Sequence, residues 1–144
     1  MKKNLIYLFP ILIAFGMGCT KSSNSSLKPL PEGTFNGEFR LLHRSQGSTV
    51  IDTVKANIQL VLETGVGYKV LGDTSTVHAG SKGHYGISDI YIAFQDDTYP
   101  TTGTPTKTHL SGTYQYYYDG SSVFQMVANS SDTLSLQYDL KKVN

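Results

Sequence analysis

The chain offers chemistry four histidines, one cysteine, an adjacent pair of aspartates and ten tyrosines. His43, His78, His84 and His109 are scattered through it. His78 and His84 could meet across neighbouring strands, but no cysteine or acidic group joins them to complete a metal's ligand set, so structural or solvent-facing imidazoles are the favoured reading. Serines are plentiful, yet none sits in a Gly-x-Ser-x-Gly elbow. Gly80-Ser81-Lys82-Gly83 has the composition of a phosphate loop without its spacing or a helix behind it, and reads as a hairpin tip. Asp96-Asp97 supplies fewer carboxylates than a calcium site needs and reads as part of a solvated loop. With no catalytic motif and no cofactor signature, the sequence points to a non-enzymatic protein.

Aromatic side chains are the richer resource. Tyr114, Tyr116, Tyr117 and Tyr118 form the densest cluster. If Tyr114 and Tyr116 face inward with Phe35, Phe39, Tyr85 and Phe94, the six either fill a small barrel or line a pocket for a small apolar molecule. So many large residues tilt the balance toward filling. Tyr117 points the other way, near Val123 and Val127, where it would serve a protein or glycan partner on the exterior.

Cys19 is the only cysteine, so it has no internal disulfide partner, and acylation is its natural role. Lys2 and Lys3 precede an apolar run over residues 5–18, the pattern of a secretory signal. As a helix, those 14 residues would reach about 21 Å, short of the roughly 30 Å hydrocarbon core of a bilayer. Phe15-Gly16-Met17-Gly18-Cys19 resembles a bacterial lipobox, with Gly16 where Leu is usual. That resemblance implies removal of residues 1–18 and a palmitate-bearing membrane anchor on Cys19. Thr20 stands where an inner-membrane retention signal would place Asp, and no acidic run follows. By the same resemblance, the outer membrane of the cell envelope is the expected home, on its periplasmic face.

From Cys19 onward, ten basic residues balance eleven acidic ones. The absence of a basic block argues against nucleic acid and against electrostatic binding to anionic lipid. Residues 19–31 (CTKSSNSSLKPLP) form a polar, Ser-rich tether that stiffens at Pro29 and Pro31. The remaining residues, 32–144, suit one domain with one core.

That domain alternates apolar and polar residues with period two, the mark of half-buried strands. Phe35, Gly37, Phe39 and Leu41 share one face of the first. Val54, Ala56, Ile58, Leu60 and Leu62 share one face of the second. Val66, Tyr68 and Val70 mark the third, and a short strand is expected around Val77. The buried face changes parity between Ile87 and Ile90, so Ser88-Asp89 must be a bulge or tight turn. Residues 95–107 carry no periodicity and form the longest loop. Leu110, Gly112, Tyr114, Tyr116 and Tyr118 alternate up to Asp119-Gly120. Phe124, Met126 and Ala128 follow, then a polar turn at residues 129–131, then Leu134, Leu136, Tyr138 and Leu140. A two-residue turn at Asp119-Gly120 would put Phe124 and Met126 on the wrong face; a three-residue loop pairs Tyr116 with Phe124 and Tyr114 with Met126.

These strands, about eight and joined by short turns, make an all-β antiparallel meander. It closes into a barrel or folds as a two-sheet sandwich, and the local hairpins favour the barrel. Gly33-Thr34-Phe35, where the tether meets the first strand, resembles the Gly-x-Trp opening of lipocalins, with Phe35 in place of the tryptophan. Residues 112–143 resemble the closing hairpins of small lipocalin-like bacterial lipoproteins, with Lys141 and Lys142 where lipocalins carry an arginine. This resemblance implies a lipocalin-like barrel that binds a small apolar molecule. The alternative is an accessory protein that meets another envelope component through the barrel exterior.

Overall fold

The structure, a computed structural model, describes residues 29–131 and 134–143. Cys19, the signal segment and residues 19–28 of the tether lie outside the described residues. Eight strands run in order: β1 (Gly33–His43), β2 (Asp52–Glu63), β3 (Gly67–Gly72), β4 (Lys82–Ser88), β5 (Tyr91–Asp96), β6 (Gly112–Tyr118), β7 (Val123–Ser131) and β8 (Leu134–Lys142). Each pairs with the next and β1 pairs with β8, so the meander closes into a barrel, and the sandwich alternative falls away.

Closure follows from the alternation. Phe35 and Phe39 of β1, Ala56, Ile58, Leu60 and Leu62 of β2, and Tyr138 and Leu140 of β8 are buried on one face. Phe39 lies opposite Ala56 on one side and Tyr138 on the other, so the inward residues of three strands meet at one level. Gly37 lets these strands come close: a methyl on its α-carbon would run into the Asp139 carbonyl of β8.

Successive strands alternate in direction, which gives the barrel two distinct ends. The near end gathers the β2–β3, β4–β5 and β6–β7 hairpins, the incoming residues 29–32, and Val143. Pro31 is buried there, and Pro29 packs where a side chain on Gly120 would fall. The last residues of the tether therefore belong to the barrel. At the β4–β5 hairpin, Ser88 pairs with Tyr91 around a tight turn in which Asp89 takes φ 53°, and this turn produces the parity change.

The far end is built differently from the sequence expectation. No strand forms around Val77. Instead, residues 73–81 and 97–111 cross the end and bond to each other, Ala79 N–H to the Thr108 carbonyl and Thr108 N–H to the Val77 carbonyl, both at 2.9 Å. They meet as a single parallel bridge, His78 with Thr108. Gly80-Ser81 is correspondingly not an exposed hairpin tip. Ser81 is fully buried, and its Oγ accepts the Leu110 N–H at 3.0 Å.

Two boundaries also shift. In the β6–β7 hairpin Tyr118 pairs with Phe124 and Tyr116 with Met126, two residues from the expected register but on the expected faces. The cause is Asp119. Its Oδ1 accepts the N–H groups of Ser121, Ser122 and Val123 at 2.8, 2.8 and 3.0 Å, which holds a wider loop. The bonds from Ser121 and its neighbours lower the pKa of this carboxyl to about 2. Residues 129–131 extend β7 through a bulge rather than forming the turn.

The close β1–β8 approach yields a paired prediction. Gly37→Ala should cost about 1–3 kcal/mol, as overpacking does. Gly86→Ala, where an added methyl meets open space, should be neutral or stabilising by about 0.5 kcal/mol. Urea unfolding of the two variants measures both; equal costs would remove the role assigned to Gly37.

Candidate functional site

The six aromatic residues singled out from the sequence fall in one apolar cluster. Phe35, Phe39 and Tyr114 are at most 1% exposed, Phe94 is 4% exposed, and Tyr85 and Tyr116 are partly buried toward the near end. They pack on rings rather than around a void: Phe35 lies 5.2 Å from Phe124, Phe39 5.0 Å from Tyr138, and Phe94 4.8 Å from Tyr68 and 5.8 Å from Tyr114. These are edge-on or tilted contacts of the kind that stabilise beyond their buried area. The principal hollows among the described residues open on the ends and walls of the barrel.

Sequence reasoning did not foresee the plug at the far end. His78 is fully buried, with its ring 4.9 Å from Phe39. Its Nδ1 lies 2.6 Å from the Ala79 carbonyl, which can only accept, so Nδ1 carries the proton. Nε2 is then the acceptor for the Tyr138 hydroxyl at 2.9 Å. Burial pushes the His78 pKa below its ordinary value and the Tyr138 pKa well above its own. Tyr114 Oη comes near Tyr138 and the Ser111 backbone, meets neither at hydrogen-bonding geometry, and is pushed by burial up to about 12.

A second lock fastens the long β5–β6 connection. The Asp96 side chain is fully buried, and its oxygens accept the Thr98 N–H at 2.8 Å, the Thr98 hydroxyl at 2.5 Å and His109 Nδ1 at 2.6 Å. Burial raises this carboxyl's pKa, but the bonds from Thr98 and His109 outweigh it and leave a net lowering. Tyr68 donates to the Leu110 carbonyl at 2.5 Å, tying the same segment to β3. Asp96 and Asp97 are thus not a solvated pair: Asp97 is half exposed, 3.9 Å from His84 on the exterior. Among the described residues, no group of three or more His, Cys, Asp or Glu could hold a metal.

The wall over β6, β7, β8 and β1 carries the most organised exterior surface. Two cross-strand rows run across it. One is Tyr117–Gln125–Asp139–Glu38; the other is Gln115–Val127–Gln137–Arg40. Between them lies an open depression of about 390 Å³ lined by all of these residues except Glu38. Gln125 Nε2 donates to Asp139 at 2.7 Å, and the Arg40 guanidinium pairs with Asp139. Arg40 Nε is buried without a hydrogen-bond partner. The side-chain amides of Gln115 and Gln137 have no partner among the described residues, and Tyr117 is 59% exposed. The sequence pointed to Tyr117. The glutamines and Arg40 were missed because only the barrel's register brings four strands' outward residues together.

Compared with known proteins, the chain matches no family model, no curated protein and no solved structure.

The buried His78 generates a pH prediction. A lowered folded pKa means that the unfolded chain takes up the proton first, so stability should fall as pH drops through the unfolded histidine value of about 6.5. The urea midpoint should decrease between about pH 7.5 and about pH 5.5. His78→Gln should be less stable at the higher pH by about 1–3 kcal/mol and should flatten the dependence. An unchanged slope in that variant would assign the effect elsewhere.

Proposed function

We propose that the chain is a lipid-anchored, non-enzymatic accessory protein of the cell envelope that binds an envelope saccharide on the outer wall of its barrel. The observation that carries this reading is the Tyr117 depression. It combines one exposed aromatic face with amides that both donate and accept, and with a paired Arg40 and Asp139. A polyhydroxylated ring needs that mixture, and an open trough admits a polymer where a closed pocket would not. The anchor rests on the signal-like residues 1–18 and on Cys19; the outer membrane, periplasmic side, is the address they favour.

A lipocalin-like site for a small apolar molecule is the second reading. One observation favours it: a hollow of about 300 Å³ at the near end, bounded by Leu30, Val66, Tyr85 and Ile87. The packing of Phe35, Phe39, Phe94 and Tyr114 leaves that reading only the rim of the barrel.

Binding of soluble peptidoglycan and lipopolysaccharide saccharide fragments, followed by chemical-shift perturbation, tests the proposal. Shifts should centre on Gln115, Tyr117, Gln125 and Gln137, and Tyr117→Ala should weaken binding at least several-fold without altering the unfolding midpoint. Absence of any shift, or shifts unaffected by Tyr117→Ala, would count against the saccharide site.

A further inference from the structure

We infer that the near end of the barrel is a membrane-contact face, which seats against a neutral lipid surface and holds the saccharide-binding wall upright beside it. This inference rests on the proposal that Cys19 is acylated. Its structural basis is a group of exposed apolar side chains: Leu30, Val66, Ile90 and Val143 are 55%, 68%, 37% and 44% exposed. They come from the incoming chain, the β2–β3 turn, the β4–β5 hairpin and the end of β8, all of which the topology gathers at one end. Leu30 and Val66 border the same hollow. Singly, exposed apolar residues need no explanation; gathered around one end, they mark an interaction surface.

The place where the described chain begins identifies the occupant. Pro29 is fixed at this end against Gly120, and Pro31 is buried. Ten residue steps separate Pro29 from Cys19, at most about 36 Å of fully extended chain. The 11 residues of β1 span about 36 Å along the strand. An acyl group on Cys19 therefore keeps the near end within tether reach of the bilayer. The exposed Val50 and Ile51 of the far end lie a barrel's length further away.

Charge selects the kind of lipid. Glu32, Glu63, Asp89, Asp97 and Asp119 lie at or beside this end with Lys69, Lys82, Lys141 and Lys142, and His84 lies near Val66. A surface of nearly balanced charge fits zwitterionic headgroups and gains little from anionic ones, so the contact should be apolar and insensitive to salt.

The chain contains no tryptophan, so single-tryptophan variants report position without background. Acylated full-length Val66→Trp and Val50→Trp are reconstituted in phosphatidylcholine vesicles whose acyl chains carry bromine. Intact mass and flotation, with Cys19→Ser alongside, establish whether the anchor exists. The expected result is that acylated protein floats, Val66→Trp loses fluorescence to the brominated chains at low and high salt, and Val50→Trp does not. A floating, acylated protein in which Val66→Trp keeps its fluorescence, or Val50→Trp loses as much, overturns the membrane face and leaves the anchor standing. Shielding of Val66→Trp from a water-soluble quencher without quenching by bromine means that protein covers this end, and also overturns it. Protein that is neither acylated nor floating defeats the anchor and the face together.

Discussion

The contact of Phe39 with Tyr138, across the pairing of β1 with β8, is what the rest of the molecule depends on. Without that pairing, the meander would leave two unpaired edges. With it, inward aromatic side chains from opposite ends of the sequence meet at 5.0 Å, and the barrel becomes a packed solid. Tyr138 then orients His78, and His78 holds the segment that crosses the far end. Strand closure, core and plug are therefore one connected arrangement. Burial of each large apolar side chain is worth about 1.5–3 kcal/mol, and it is distributed around the barrel, with β4 adding only the partly buried Tyr85 and Ile87, rather than concentrated in a separable half.

A filled interior moves the question of function outward. Where a lipocalin-like barrel would keep a cavity, Phe35, Phe124, Tyr114 and Leu60 occupy the space. What the chain presents to its surroundings is a polar, aromatic-edged wall and an apolar end. The two surfaces are compatible, because Tyr117 lies on the outward face of β6 while Leu30 and Val66 belong to the segments gathered at the near end, where the described chain begins. Our functional reading joins them: a short lipid tether sets the orientation, and the wall engages a polymer of the same compartment.

Much of the fold was legible because period-two alternation is a local signal. Phe35, Phe39, Ile58, Leu60, Tyr114 and Tyr138 could be placed on the inward face without knowing their partners. The parity change at Ser88-Asp89 announced a turn, which the structure has there. What escaped is what depends on distant residues. Nothing near His78 or Ser81 in sequence reveals that they are buried, since their partners, Tyr138 and Leu110, lie 60 and 29 positions away. The two-residue register shift between β6 and β7 preserves every face, so hydrophobic pattern alone is blind to it; the Asp119 carboxylate decides it through three backbone N–H groups. The exterior depression was half legible, through Tyr117, because an exposed aromatic in an alternating strand is unusual and an outward glutamine is not.

Titration of a fluorescent fatty-acid analogue into the unacylated Cys19→Ser protein shows whether the barrel is solid and acts through its outside. A solid barrel gives no saturable binding and no change in tyrosine fluorescence. Saturable one-to-one binding, with shifts at Phe35, Phe94 and Tyr114, would contradict it and restore an interior ligand.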